Sequence, residues 1–167
     1  MAISGTLSSD CMRIGAIRLC LAMMLGLLVV SGYVVAPILF THADSAMQAG
    51  MLAGHIFHVV NIGVLFLAAA IAAFWMRLEG IGRLNWLLLL FIMVLLASNE
   101  FVISPLIQDI KDSVGAIDSL AKDDPQRVQF GIYHGVSAVC HLLASCMAAL
   151  LVALGGKVCK KNKNKHE

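Results

Sequence analysis

Four long apolar runs constrain this chain more than any other feature. They cover residues 19–40, 51–76, 86–104 and 130–154 of a chain of 167 residues. A helix needs about 20 apolar residues to cross a hydrocarbon core of about 30 Å. A backbone in lipid must satisfy its own hydrogen bonds, and the runs lack the short alternating segments of a membrane barrel. The sequence therefore predicts an all-α integral membrane protein, a bundle of four transmembrane helices.

Composition favours a single membrane domain. Hydrophobic residues make up 60% of the chain and charged residues 13%, which leaves no stretch for a separate soluble domain. The first run exceeds the 7–15 apolar residues that are usual in a signal peptide, so we expect it to stay as an anchored helix. We predict a cytoplasmic segment over 1–18, the membrane domain over 19–154 and a basic tail over 155–167.

The distribution of Lys and Arg predicts the orientation, because positive loops stay in the cytoplasm. One side carries nine of these residues: Arg13, Arg18, Arg77, Arg83, Lys157, Lys160, Lys161, Lys163 and Lys165. The other side has Lys111, Lys122 and Arg127 among several aspartates. Both termini should therefore be cytoplasmic, in a cell membrane that we expect to be a bacterial inner membrane. Trp75 and Trp86 fit an aromatic belt at the same interface.

The long outer loop over 105–129 has a helical pattern of its own. Ile107, Ile110, Val114 and Ile117 recur at helical spacing, which predicts a short amphipathic helix on the outer surface between the third and fourth helices. The pair Asp124-Pro125 is typical of a helix start, with an N-cap followed by proline at the first helical position. The alternative is a loop that only connects the two helices.

Polar residues within the apolar runs gather at similar depths. At about 1.5 Å per residue they fall in the outer leaflet or near mid-membrane. The residues are His55, His58, Asn61, Glu100, His134, Ser137 and His141. On the fourth run His134, Ser137, His141 and Ser145 share one narrow stripe, which favours a position in the bundle interior.

Three roles are open for these polar residues. They can pack the helices through hydrogen bonds, bind a transition metal or haem, or form a proton or solute pathway. The metal ligands would be His55, His58, His134 and His141. Glu100 either reaches the outer surface or finds a partner, for which His134 and His55 are the candidates. We predict a non-enzymatic protein with helix packing or solute and metal handling as its function.

Familiar catalytic and nucleic-acid signatures are missing from the sequence. It contains no G-x-x-x-x-G-K-[ST], no G-x-S-x-G and no H-E-x-x-H. The five cysteines include no C-x-x-C and none lies in an outer loop, so disulfide chemistry is not expected. The basic tail lacks aromatic residues, which argues against nucleic-acid binding and leaves the lipid bilayer as its partner.

The second half of the chain carries a family resemblance. Asn99-Glu-Phe-Val-Ile-Ser-Pro105, followed by a charged loop and Phe130-Gly-Ile-Tyr-His-Gly-Val-Ser137, resembles the transmembrane protein 205-like family, a four-helix membrane domain of unknown function. The resemblance implies matching roles for a set of residues in both segments. They are Asn99, Pro105, Phe130, Tyr133, His134, Gly135 and Ser137.

The same resemblance implies a packed polar core. Asn99 and His134 would meet between the third and fourth helices, and Gly135 would allow close approach. His55 and His141 are not part of the family pattern, so a four-histidine site would be peculiar to this protein. A homo-oligomer or a membrane-protein partner, for which the chain would be a scaffold subunit, is the remaining alternative.

Overall fold

Four long helices with short connections form the computed structural model of the chain, which describes residues 9–115 and 117–155. The helices, named here the first to fourth spans, are Cys11–His42, Ala46–Trp75, Arg83–Val114 and Pro125–Gly155. Each is long and apolar enough to cross a membrane, which confirms the prediction of an all-helical, multi-pass membrane protein. The predicted basic tail lies outside the described residues except for Gly155.

The second and fourth spans begin before their apolar runs, and polar caps fix both starts. The second span begins after Ser45, whose Oγ accepts a 3.1 Å hydrogen bond from the Gln48 N–H, while Gln48 Oε1 accepts from the Asp44 N–H at 3.1 Å. The fourth begins at Pro125, and the Asp124 carboxylate accepts from the Gln126 N–H at 2.8 Å. This confirms the predicted N-cap.

The elements are α1 Ser9–Val29, α2 Ala36–His42, α3 Ala46–Trp75, α4 Arg83–Ser98, α5 Ser104–Val114, a 3₁₀ turn Ile117–Ser119 and α6 Pro125–Gly155.

The first and third spans each contain a π-helical segment just before a proline. The first π segment, Val30–Val35, joins α1 to α2, and the second, Asn99–Ile103, joins α4 to α5. Pro37 and Pro105 follow these segments after one intervening residue. Proline lacks the N–H for an α-helical bond and its ring crowds the preceding turn, so the wider π turn lets each helix continue past it. The third span therefore does not end near Ser104, where its apolar run ends.

The apolar core fills only one half of the bundle. Each span packs against the next and the fourth packs against the first. The core lies on the side of Trp75 and Trp86, whose rings meet edge to face at 5.4 Å; we call this side the closed half. The other side, towards residues 43–45 and 115–124, is the open half. There α2 and the part of α6 before His141, all of which the structure describes, bury no side chain.

The segment predicted to form a separate amphipathic helix is the last part of the third span. In α5 Ile110 is buried while Asp109 and Asp112 are exposed, so one face of this helix packs and the other is polar. The half-buried Lys111 reaches across to the second span, where its Nζ donates to the Gly50 carbonyl at 3.4 Å. This contact ties the ends of the second and third spans together in the open half.

Candidate functional site

Buried polar side chains gather near the middle of the bundle, between its closed and open halves. All four spans contribute to this set, which we call the polar layer, and each π segment supplies at least one member. Its members are Ser31, Asn61, Asn99, Glu100, His141 and Ser145. Polar groups at such a depth are costly unless they are paired, so their partners indicate what the layer does.

Glu100 is the one acidic member of the polar layer. It is 7% exposed, and both carboxylate oxygens have partners on the second span. The imidazole Nδ1 of His58 contacts Oε1, and Asn61 Nδ2 donates to Oε2 at 3.0 Å. Glu100 thus finds partners rather than reaching the surface, and the partner is His58 instead of the expected His134 or His55. Because the helix continues past Pro105, Glu100 lies about 21 Å from the end of its span, level with the middle of α3.

The contact between Glu100 and His58 connects the interior to the bundle surface. The Glu100 side chain is 6% exposed, whereas the His58 side chain is 63% exposed. Asn61 lies one turn further along α3 and is 1% exposed, so it closes the inner side of the carboxylate. A buried carboxylate in contact with an imidazole forms a pair within which a proton can be transferred.

His141 makes a second polar contact, with the first span. Its Nε2 donates to the Leu28 carbonyl at 2.9 Å, and its ring meets Phe57 edge to face at 5.1 Å. Gly32 makes this possible, since a Cβ there would lie 2.5 Å from the same Nε2. Ser145, one turn on, donates to the His141 carbonyl at 2.8 Å. The predicted interior stripe of the fourth span is correct for His141 and Ser145, but Gly32 was not identified from the sequence.

The four histidines predicted as metal ligands are not brought together. His58 faces Glu100 and His141 faces the first span, while His55 Nδ1 donates to the Met51 carbonyl at 2.9 Å. His134 is exposed and stacks on Phe130 with the rings 6.0 Å apart. Among residues 9–115 and 117–155 there is no group of three or more His, Cys, Asp or Glu that could hold a metal ion. Metal or haem binding by these histidines stays a prediction.

Comparison with known families gives one result. Residues 19–115, more than half of the chain, match the family described as Domain of unknown function (DUF4149). The chain belongs to the DUF4149 family. No curated protein and no solved structure matches it. The matched part of this DUF4149 protein contains His58, Asn61 and Glu100 but not the fourth span, and the resemblance to the transmembrane protein 205-like family stays a prediction.

The contacts implied by that resemblance differ from those in the structure. Asn99 is buried, but no hydrogen bond or ring contact joins its side chain to the exposed His134. A Cβ built on Gly135 has open space around it, so this glycine serves no close approach within the chain. Tyr133 accepts from Gln129 Nε2 at 2.9 Å on the same helix. The reason is that α6 passes here through the open half, where the neighbouring spans leave its side chains unburied. Pro105 and the half-buried Ser137 complete the predicted set.

The polar layer has more acceptors than donors. Three of its buried atoms lack a hydrogen-bond partner among the described residues: Asn61 Oδ1, Asn99 Oδ1 and His141 Nδ1. Because His141 donates through Nε2, its Nδ1 is an acceptor when the ring is neutral. Each unpaired buried group of this kind costs about 1–3 kcal/mol. Together with the Glu100 carboxylate, they favour a donor such as a proton, a water molecule or a small cation.

Proposed function

We propose that this DUF4149 protein binds and exchanges protons at Glu100 within the membrane. The observation that carries the proposal is the Glu100 carboxylate, buried in the third span and held on both oxygens by His58 and Asn61. An ionised carboxylate in lipid is expensive, and such groups mark ion pathways and proton relays. Packing alone does not require an acid here, because an amide would also bridge Asn61 and His58.

His58 is the partner with which Glu100 exchanges its proton in this proposal. Its imidazole contacts Glu100 on one side and is exposed on the other, and histidine is the side chain whose charge changes most readily near neutral pH. The unpaired acceptors of the polar layer supply hydrogen-bonding positions for the water molecules that a proton needs in order to move. In this proposal Glu100 accepts the proton, His58 exchanges it with Glu100, and Asn61 positions the carboxylate.

We infer that water approaches the polar layer from the open half, where α2 and the start of α6 bury no side chain. A cavity of about 270 Å³ lies between the end of α2 and the start of α3. Its lining is Ile38, Leu39, His42, Ala43, Asp44, Gln48 and Leu52. The positive residues at the closed end favour a cytoplasmic position for both termini, so the open half would face outwards with α5 at the outer surface. Protons would then enter from outside, and a second conformation must open the apolar core of the closed half for them to cross the membrane.

Proton flux into vesicles tests this function. The purified full chain is reconstituted in liposomes that contain a pH-sensitive dye, and a potassium gradient with valinomycin drives proton entry. We expect flux above that of empty liposomes, and we expect Glu100→Gln to lower it to the empty-liposome level. Glu79→Gln, an exposed loop carboxylate, is the matched control and should retain full flux. Equal flux in wild type and Glu100→Gln would contradict the proposal, and a loss of stability alone would assign Glu100 to helix packing.

A further inference from the structure

Two neighbouring histidines of the second span have their ring nitrogens arranged in the same way. His55 and His58 lie three residues apart on α3, so their Cβ atoms are separated by roughly 5–6 Å on one face. Both side chains are exposed. His55 uses Nδ1 towards the Met51 carbonyl at 2.9 Å, and His58 uses Nδ1 towards the Glu100 carboxylate. A carbonyl or carboxylate oxygen can only accept, so both rings carry their proton on Nδ1 and keep a lone pair on Nε2.

This arrangement is that of histidines that bind metals. A metal-ligating imidazole almost always donates its other ring N–H to a carbonyl or a carboxylate, which fixes the tautomer and the ring orientation. Here the two rings have one acceptor of each kind. Two other histidines of the spans lack this feature: His141 uses Nε2 on the Leu28 carbonyl within the bundle, and His134 stacks on Phe130. His42 has Nδ1 on the Ile38 carbonyl but no histidine neighbour on its helix. His55 and His58 are therefore the pair suited to bind a metal through Nε2.

We propose that Nε2 of His55 and Nε2 of His58 bind a divalent transition metal such as Zn²⁺, and that the same pair of a second copy completes the site. Two imidazoles fill half of a four-coordinate sphere, and no third ligand is available among the described residues. A twofold axis brings an identical pair to the same point, which gives four imidazoles around the ion.

The surroundings of the pair favour a second copy over open lipid. Val59 and Phe66 are 70% and 73% exposed on the same side of α3, so the two imidazoles stand in an otherwise apolar surface. Exposed polar nitrogens are costly in lipid, and pairing through a metal removes that cost. Gly54, one turn before His58, has open space where a Cβ would lie, which leaves room for a second helix. The inference uses the same contact between His58 and Glu100 as the proposed proton site, but it needs no proton transfer.

Cobalt titration tests the site in the full chain. The protein is purified in mild detergent through a tag free of histidine and stripped of metal with a chelator. Co²⁺ is then added while visible absorption and the oligomeric state are recorded. We expect one Co²⁺ per two chains with the bands of a tetrahedral complex, displaced by Zn²⁺, and a dimer that forms with the metal. His55→Ala and His58→Ala should each abolish binding. Glu100→Gln replaces the carboxylate that accepts from His58 Nδ1 and should lower the affinity for Co²⁺ by about 10–100-fold.

Two variants serve as matched controls. His42→Ala removes an exposed histidine whose Nδ1 contacts the Ile38 carbonyl at 3.1 Å, as His55 Nδ1 contacts Met51. His42 has no histidine neighbour on its helix. His134→Ala removes an exposed histidine of the fourth span. Both should bind Co²⁺ as the wild type does. Undiminished binding in His55→Ala and His58→Ala, or no binding by wild type, overturns the site, and one Co²⁺ on a monomer overturns the second copy. His55→Ala should keep full proton flux, so the metal site can fail while the proton site stands.

Discussion

The two π segments resemble each other in backbone but hold opposite kinds of chemistry. In both, a π turn comes just before a proline. The N–H of the residue between the π segment and the proline donates to the carbonyl five residues earlier: Ala36 to Ser31 in the first segment and Ser104 to Asn99 in the second. The first segment faces His141, a neutral contact buried among Leu28, Gly32 and Phe57. The second presents Glu100 to His58, which reaches the surface.

This difference separates a packing site from a reactive one. At the first π segment every contact of His141 lies within the bundle, and the glycine leaves space only for that ring. At the second, the buried group is an acid in contact with an imidazole, so a proton can be transferred between the two side chains. π turns within α-helices often occur at functional sites, but here the side chains decide which of the two is reactive. Substitutions at equivalent places should therefore affect stability at one segment and proton chemistry at the other.

The largest expected difference is between His141→Ala and His58→Ala. Loss of the His141 ring leaves a cavity against Phe57 and an unpaired Leu28 carbonyl, so the free energy of unfolding should fall by about 2–4 kcal/mol. His58 is exposed, and Asn61 still donates to the other carboxylate oxygen of Glu100, so His58→Ala should cost only about 1 kcal/mol. Unfolding of the purified protein in mixed micelles with increasing SDS measures both values. An equal cost for the two variants would remove the distinction between the segments.

Hydropathy was enough to predict the four spans and their packing into one bundle, because about 20 apolar residues have few alternatives in lipid. The helix ends were harder to place. The start of α3 could have been found from Ser45-Ala-Met-Gln48, a capping-box pattern outside the apolar run. The continuation of the third span past Pro105 could not, since the π turn that allows it has no signal of its own in the sequence.

The candidate site was predicted in part. Spacing on the fourth span correctly placed His141 and Ser145 in the interior, but it placed His134 there too. A helical stripe indicates which residues share a face, and whether that face is covered depends on where the neighbouring spans lie. The pairing of Glu100 with His58 depends in the same way on the relative height of the second and third spans, which changed by several residues once the helix continued beyond Ser104.

Gly32→Ala should have the next largest effect, at the first π segment alone. The added Cβ would lie 2.5 Å from His141 Nε2 and 2.7 Å from Cδ2, so the ring must move away from the Leu28 carbonyl. Overpacking of this kind costs about 1–3 kcal/mol. Gly26→Ala, on the same span with open space around the added Cβ, is the control and should not lower stability. In a Gly32→Ala, His141→Ala double variant the two losses should be less than additive, and full additivity would show that the two residues do not act together.

Replacing the two prolines should have a smaller effect, on the reactivity of Glu100 rather than on stability. Alanine at Pro105 restores the missing N–H, so the π turn can close to an α turn and the helix loses one residue of register, or about 100°. Glu100 would then turn away from His58 and Asn61. Labelling by dicyclohexylcarbodiimide, which attacks protonated carboxyl groups in apolar surroundings, should change severalfold in rate for Pro105→Ala. Pro37→Ala should leave it unchanged, because its π segment carries no acid. Mass spectrometry of the labelled peptide gives the rate, and equal responses to both substitutions would mean that the two segments are coupled.

The smallest effect is expected at Gly135, which lies outside both π segments on the fourth span. Its added Cβ meets nothing within 4 Å, in contrast to Gly32. Glycine within a helix is less stable than alanine by roughly 0.5–1 kcal/mol, so Gly135→Ala should raise the free energy of unfolding slightly or leave it unchanged. SDS unfolding of the isolated protein measures this value. A loss of stability instead would mean that Gly135 packs closely against a helix from another molecule, since residues 9–115 and 117–155 place none there. The same substitution measured below and above the concentration at which the protein self-associates would then show whether that molecule is a second copy.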